Sequence, residues 1–130
     1  MTITAGCQVT AGAVAFGSSS GIFAAVLANT TLVITCTTST PYTVGLDPGS
    51  GIGATTAVRK MTGASLATIN YRLYQNAGLT STFGNAPGVD TAAGVGNGTA
   101  QTITIYGQVP AQTSPAPGSY SDIVNVTLTY

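Results

Sequence analysis

Apolar and polar side chains alternate in short stretches along this chain. Leu32, Ile34 and Cys36 fall at every second position, and Ile103 and Ile105 alternate with threonines. A period of two is typical of a β-strand with one buried face. The same criterion predicts further strands, so the full predicted set covers residues 1–10, 30–37, 42–46, 58–61, 68–75, 79–83, 101–106 and 120–130.

Turn-forming residues separate these stretches, and helical spacing of apolar residues is rare. Asp47-Pro48-Gly49 is a turn signal, because proline fixes φ and glycine supplies positive φ. Residues 84–98 and 107–118 are predicted to be long connections. About seven short strands with turns between them predict an all-β, immunoglobulin-like sandwich. The length of 130 residues predicts a single domain over residues 1–130.

The final predicted strand, residues 120–130, has a long apolar face. Val124, Val126, Leu128 and Tyr130 follow a period of two, and Ile123 precedes them. An apolar strand of this length needs neighbours on both sides or a protected edge. No later segment follows it in this sequence. We therefore expect its missing partner to come from another chain.

The composition argues against a partner that is recognised by its charge, such as nucleic acid. Only 5% of the residues are charged and the formal net charge is zero, so no basic surface for nucleic acid is expected. Because so few residues are charged, the protein surface must consist mainly of uncharged polar residues and glycine, and this favours self-association.

Catalytic chemistry is poorly represented. The chain contains no histidine, and its three acidic residues, Asp47, Asp90 and Asp122, are far apart in sequence. A serine nucleophile would lack a histidine base, and no glycine-rich segment opens a helix to hold a phosphate. We therefore expect no enzymatic activity, no cofactor and no metal site.

The two cysteines, Cys7 and Cys36, are predicted to form a disulfide. Without histidine or a Cys-x-x-Cys motif, zinc and thioredoxin-like sites are disfavoured. Two buried free thiols are the alternative. A disulfide implies an oxidising compartment.

An ordered set of short motifs runs through the chain. After Cys7 come Phe16-Gly17, Cys36-Thr37, Arg59-x-Met61, Tyr71-x-Leu73-Tyr74, Tyr106-Gly107-x-x-Pro110, Gly118-x-Tyr120-x-Asp122 and the aromatic Tyr130. In this order they resemble the spore coat protein U domain family, which includes subunits of archaic, Csu-type chaperone–usher pili. The resemblance extends from Cys7 to Tyr130.

The resemblance implies an incomplete immunoglobulin-like sandwich that lacks its last strand. A periplasmic chaperone would lend a strand first, and the N-terminal segment of the next subunit would replace it at an outer-membrane usher. The subunit would then be exported through the periplasm to a surface fimbria used for attachment and biofilm formation. The strand-accepting groove is expected along Ile123, Val124, Val126, Leu128 and Tyr130.

Two further expectations concern the ends of the chain. Gly118, Tyr120 and Asp122 are expected to form a structural corner before the last strand, in the manner of a tyrosine corner. Residues 1–6 are too short for a complete donor segment and are interpreted as the remnant of one or as an artificial start. Two rival functions remain open, a non-fibrous spore or cell-coat protein and a carbohydrate-binding adhesin domain.

Overall fold

A computed structural model describes all residues from Met1 to Tyr130. The fold contains eight β-strands, one 3-10 turn at Ala64–Leu66 and no α-helix. The strands are β1 (Cys7–Ala11), β2 (Val26–Cys36), β3 (Pro41–Leu46), β4 (Arg59–Thr62), β5 (Thr68–Tyr74), β6 (Ala92–Val95), β7 (Ala100–Val109) and β8 (Val126–Thr129). No helix is long and apolar enough to cross a membrane.

The strands form two antiparallel sheets. The larger sheet has the order β1-β2-β7-β5-β4, and the smaller sheet has the order β6-β3-β8. Inward-facing side chains of both sheets make one core, as expected of a β-sandwich. The core residues are Ile22, Leu32, Ile34, Cys36, Tyr42, Val44, Leu46, Tyr71, Leu73, Phe83, Ile105 and Val109. The predicted all-β, immunoglobulin-like sandwich is confirmed.

The predicted disulfide is also confirmed. Cys7 and Cys36 are directly opposite each other in the β1–β2 ladder and are bonded, with Cα atoms 4.1 Å apart. No free cysteine remains. The bond joins the first residue of β1 to the last residue of β2, so it closes one end of this edge ladder.

Several strand boundaries differ from those predicted. β8 covers only Val126–Thr129 instead of residues 120–130. Before it, the Asp122 side chain binds Ser50 in the turn after β3, and Ser121 makes only an isolated bridge to Thr62 of β4. Residues 79–83 form a single bridge, Tyr74 to Thr82, and no strand. Conversely, β6 lies inside the predicted connection 84–98, where its small residues pair with β3.

Fewer side chains are fully buried than the alternation predicts. From the sequence we expect eleven apolar side chains to be buried, ten at inward positions of the predicted strands and one at Phe16. Six of the eleven are buried: Leu32, Ile34, Val44, Leu46, Leu73 and Ile105. The other five are half-buried against the core: Phe16, Ile103, Val124, Val126 and Leu128. Phe16, Val124 and Val126 border one open cavity, which explains why neighbouring protein atoms cover them only in part.

Candidate functional site

The candidate site is an open trough between the two sheets, with a volume of about 1020 Å³. Two segments form its walls, and neither contains strand residues apart from Ala11, the last residue of β1. The N-terminal wall comprises residues 11–23, and the C-terminal wall comprises residues 114–124. Buried side chains of both sheets line the space between them, among them Leu32, Leu46, Tyr71, Leu73 and Ile105. The trough is therefore mainly apolar and gives directly onto the core.

Both walls carry unpaired backbone. No backbone N–H or C=O of residues 13–21 forms a hydrogen bond with another backbone group, and the same holds for residues 113–120. β8, which continues the C-terminal wall, is an edge strand that pairs only with β3. On the other side, β1 pairs only with β2. An apolar cavity bordered by free strand edges is the kind of site that accepts an additional strand.

Side chains of the N-terminal wall pack against the sheet at a glycine of β7. In the alternating stretch 13–16, Val14 and Phe16 are half-buried while Ala13 and Ala15 are exposed. A side chain at Gly107 in β7 would come within about 3 Å of both Phe16 and Val14. Glycine at this position therefore allows the wall to pack closely on the sheet.

Two aspartates anchor the C-terminal wall. Asp122 Oδ1 accepts hydrogen bonds from the backbone N–H and the hydroxyl of Ser50, each 2.9 Å long. Asp47 accepts from both the backbone N–H and the side-chain amide of Asn125, at 3.0 and 2.9 Å. These contacts tie the approach to β8 to the turn that follows β3, although the two segments are far apart in sequence.

Burial and hydrogen bonding set the ionisation of these groups. Burial acts to raise the pKa of Asp47, but hydrogen bonds from Asn125 and Gly49 and the charge of Arg59 outweigh it, so that this pKa lies below its ordinary value. Burial, together with the hydrogen bond and charge of Asp122, raises the pKa of Tyr71 well above its ordinary value. Tyr71 therefore stays a hydrogen-bond donor and Asp47 stays a carboxylate at neutral pH.

The structure brings most of the predicted groove residues to one place. Ile123, Val124 and Val126 border the trough. Leu128 is half-buried against the core and does not border it, and Tyr130 is 61% exposed and borders a smaller cavity beside Cys7. The C-terminal side of the trough thus consists of residues 114–124 and Val126, before β8 and at its start, whereas Tyr130, just after β8, lies beside Cys7 of β1.

All three predicted corner residues, Gly118, Tyr120 and Asp122, also border the trough. The Tyr120 hydroxyl donates a 2.6 Å hydrogen bond to the carbonyl of Ala116, four residues upstream. This is the type of contact that a tyrosine corner makes. The Tyr120 ring lies over Gly63, where any side chain would overlap it.

Sequence reasoning missed the N-terminal wall and the part of the trough lined by Tyr71. Of this wall, the sequence predicted only a short apolar run at residues 14–16 that is ended by a turn cluster at residues 17–21. Tyr71 was singled out only as part of a motif. The alternation of Ala13, Val14, Ala15 and Phe16 is the signal that could have indicated an extended segment without a strand partner.

The residues of the site do not form a recognisable metal centre. No group of three or more histidine, cysteine, aspartate or glutamate side chains lies close enough together to hold a metal ion. The carboxylates of Asp47 and Asp122 already accept hydrogen bonds from protein N–H and O–H groups.

Comparison with solved structures gives a relative with the same fold. One chain of the crystal structure of the CsuC–CsuE chaperone–tip adhesion subunit pre-assembly complex, from archaic chaperone–usher Csu pili of Acinetobacter baumannii, superposes with a TM-score of 0.74. The two sequences are 22% identical, and the match covers 99% of this chain but 40% of that one. The protein thus spans less than half the length of this relative.

Comparison of sequences gives the family. No curated protein matches the chain. The profile of the Spore Coat Protein U domain matches residues 1–127, which include both walls of the trough and both cysteines. This match covers nearly the whole chain, and the protein therefore belongs to the Spore Coat Protein U domain family.

Proposed function

We propose that this protein is a structural subunit of an archaic chaperone–usher pilus and that it polymerises by donor-strand complementation. The observation that carries the proposal is the trough itself, an apolar cavity of about 1020 Å³ beside an unpaired strand edge. Water in such a cavity leaves apolar surface exposed and backbone groups without protein partners. An extended segment would supply both an alternating apolar face and a row of backbone hydrogen bonds.

The occupant we propose is a β-strand from another chain. During export it is a strand of a periplasmic chaperone, and after assembly at an outer-membrane usher it is the N-terminal segment of a neighbouring subunit. The crystal structure that shares the fold is a chaperone–subunit complex, which supports the first of these partners. In this chain residues 1–5 are exposed, with Met1 and Ile3 among the most exposed apolar residues, and contact with the sandwich begins at Gly6, which pairs with Thr37. They are the position from which a donor segment would leave the domain.

Export through the periplasm to a surface fimbria agrees with the disulfide, since such bonds form in oxidising compartments. The role we propose is attachment and biofilm formation without catalysis. The carboxylates support this, because Asp47, Asp90 and Asp122 each accept hydrogen bonds that hold turns together.

Of the alternatives, a carbohydrate-binding adhesin domain would present aromatic side chains for stacking. Only Phe23 and Tyr130 among the nine aromatic residues are largely exposed, which favours the structural role. A non-fibrous coat protein would use the same trough. Electron microscopy of the extracellular assembly distinguishes a pilus subunit from a non-fibrous coat protein, since a fibre shows repeated subunits along one axis and a coat does not.

The test of the proposed function is a thermal melt with and without a donor peptide. The peptide is copied from the N-terminal segment of a pilus subunit encoded with the same chaperone and usher, and a scrambled peptide is the control. We expect the donor peptide to raise the melting midpoint by mass action and the scrambled one to leave it unchanged. Equal midpoints with both peptides would refute the proposal.

A matched pair of variants locates the binding site. Val124→Asp places a charge in the trough, whereas Leu27→Asp places one on a largely exposed position of β2 that does not border it. Leu27→Asp should keep the response to the peptide, and Val124→Asp should lose it because burying an unpaired charge is costly. Loss of the response in both variants would contradict binding in the trough.

A further inference from the structure

One side chain, Tyr71 of β5, contacts both walls of the trough. Its ring packs edge-to-face against Phe16 of the N-terminal wall, with ring centroids 6.0 Å apart and planes inclined at 63°. Its hydroxyl donates a 2.6 Å hydrogen bond to Oδ2 of Asp122 in the C-terminal wall. Tyr71 is only 5% exposed, and all three side chains border the cavity. It is therefore a physical link across the trough.

The acceptor end of this link is held firmly. Besides Tyr71, Asp122 accepts from the backbone N–H and the hydroxyl of Ser50 and from the backbone N–H of Ile123. Gly49, with φ +83°, lies so close to the carboxylate that any side chain there would overlap it. The carboxylate of Asp122 is therefore seated by both turn geometry and hydrogen bonds.

The C-terminal wall is held by several hydrogen bonds, of which the bond to Tyr71 reaches β5. Among the hydrogen bonds of residues 114–125, Ser121 pairs with Thr62 at the sheet edge, and Asp47 binds Asn125. At one end of the trough the backbone N–H of Ile22 also donates a 2.8 Å hydrogen bond to Ser114 Oγ, which ties the two walls together there. The Tyr71–Asp122 bond is the one that connects residues 114–125 to β5, which lies beneath the trough.

We propose that Tyr71 and Asp122 form a brace that fixes the width of the trough, and that this brace makes the protein bind a donor strand tightly. The inference rests on the proposed function. Tyr71 acts here as a positioning residue, because it holds a wall in place without supplying the strand edge that pairs with the donor. A wall that is already ordered costs less entropy when the donor binds, so affinity rises.

The prediction follows from removing one atom. Tyr71→Phe keeps the ring and its contact with Phe16 but removes the hydrogen bond to Asp122. Since the bond involves a carboxylate, we expect the dissociation constant of the donor peptide to rise about tenfold or more, mainly through faster dissociation. Tyr42→Phe is the matched control. Tyr42 is also buried and its hydroxyl also donates to a side chain, that of Gln101, but it does not border the trough.

Surface plasmon resonance measures the affinity and the dissociation rate of the peptide. Amide hydrogen exchange is measured separately, on the free protein. For the wild type and Tyr42→Phe we expect equal affinities. For Tyr71→Phe we expect weaker binding and faster exchange of residues 121–125. Asp122→Asn should weaken peptide binding less in the Tyr71→Phe background than in the wild type, because the two groups share one bond, whereas the bonds of Asp122 to Ser50 are disturbed equally in both backgrounds.

The possible failures are distinguishable. If the wild type binds the peptide and Tyr71→Phe binds it equally well, the brace is refuted and the proposed function stands. Equal weakening in Tyr71→Phe and Tyr42→Phe would show a general loss of stability and would also refute the brace. A wild-type protein that binds no peptide would overturn the proposed function and the brace together.

Discussion

The guanidinium of Arg59 donates a 2.8 Å hydrogen bond to the carbonyl oxygen of Phe83, and both residues are fully buried. The same guanidinium donates to the carbonyls of Leu46, Asp47 and Thr56. All four acceptors are backbone oxygens of connections or strand ends. Burial lowers the pKa of Arg59 from its ordinary value, although the charges of nearby groups such as Asp47 and Asp122 act to raise it. The four carbonyl oxygens replace the water that the buried guanidinium has lost.

Arg59→Met should therefore destabilise the fold strongly. The substitution keeps much of the side chain's volume but leaves several buried carbonyls without donors, so we expect a loss of about 3 kcal/mol or more in the free energy of unfolding. Arg72→Met on the exposed face of β5 is the control and should change it by less than about 0.5 kcal/mol. Urea denaturation measures both. If Arg59→Met lowered the free energy of unfolding as little as Arg72→Met does, a structural role for the buried guanidinium would be contradicted.

Gly49 should be more sensitive to substitution than another glycine with the same backbone conformation. Gly49 and Gly88 have φ of +83° and +76°, so alanine would be strained at either position, by about 1–2 kcal/mol. At Gly49 the new methyl group would also overlap Asp122, whereas nothing is close to Gly88. We expect Gly49→Ala to cost at least about 1 kcal/mol more than Gly88→Ala in chemical denaturation. Equal costs would mean that Asp122 moves away freely.

Leu46 tests the packing beneath the trough. It is 1% exposed, and Leu46→Ala should lower the free energy of unfolding by about 2–5 kcal/mol. Leu27, at 62% exposure, provides the control, and Leu27→Ala should have little effect. Leu128→Ala should lie between them because Leu128 is half-buried. A loss at Leu128 as large as at Leu46 would show that β8 is more deeply packed than the structure indicates.

The disulfide should contribute about 3–4 kcal/mol to stability by restricting the unfolded chain between Cys7 and Cys36, which are 29 positions apart. The comparison is the oxidised protein against Cys7→Ala/Cys36→Ala, each with and without reductant. Reductant should lower the denaturation midpoint of the wild type and leave that of the double variant unchanged. A wild type that does not respond to complete reduction would contradict this contribution.

Asp47 should make stability depend on acidic pH. Because its pKa in the folded chain lies below the ordinary value, its carboxylate contributes stability that is present above about pH 4 and is lost as the pH falls through the folded-state pKa. Asp47→Asn should therefore be less stable than the wild type at pH 7, with a difference that shrinks towards about pH 2. Denaturation midpoints between these pH values provide the measurement. A constant difference would refute the assigned pKa direction.

The sequence predicted the class of fold well because strand alternation is a local property. Leu32, Ile34 and Ile105 occupy the inward positions that the period of two assigns to them. It failed for β6, because Ala92, Ala93 and Gly94 have little intrinsic preference for a strand. That strand exists because β3 offers a partner and Gly94 leaves room for the ring of Tyr42.

In the candidate site, too, local sequence pattern predicted some of the residues but not their contacts. Local pattern placed Val124 and Val126 on one face of the last predicted strand, and both border the trough. The motifs drew attention to Tyr120 and Asp122. The partners of Asp122 could not be predicted, since Ser50 and Tyr71 are 72 and 51 positions away in sequence. A carboxylate finds such donors only after the sheets have packed.

The sequence by itself determined the alternation that makes a sandwich, the glycines and proline that end its strands, the near absence of charge and the absence of histidine. These follow from side-chain chemistry and from the conformations that each residue allows. Only the tertiary structure decided that β8 pairs with β3, that residues 11–23 face residues 114–124 across an apolar trough, and that Tyr71 connects the two. Those relationships depend on which strands become neighbours in space, and the physical reason is the joint burial of the two sheet faces.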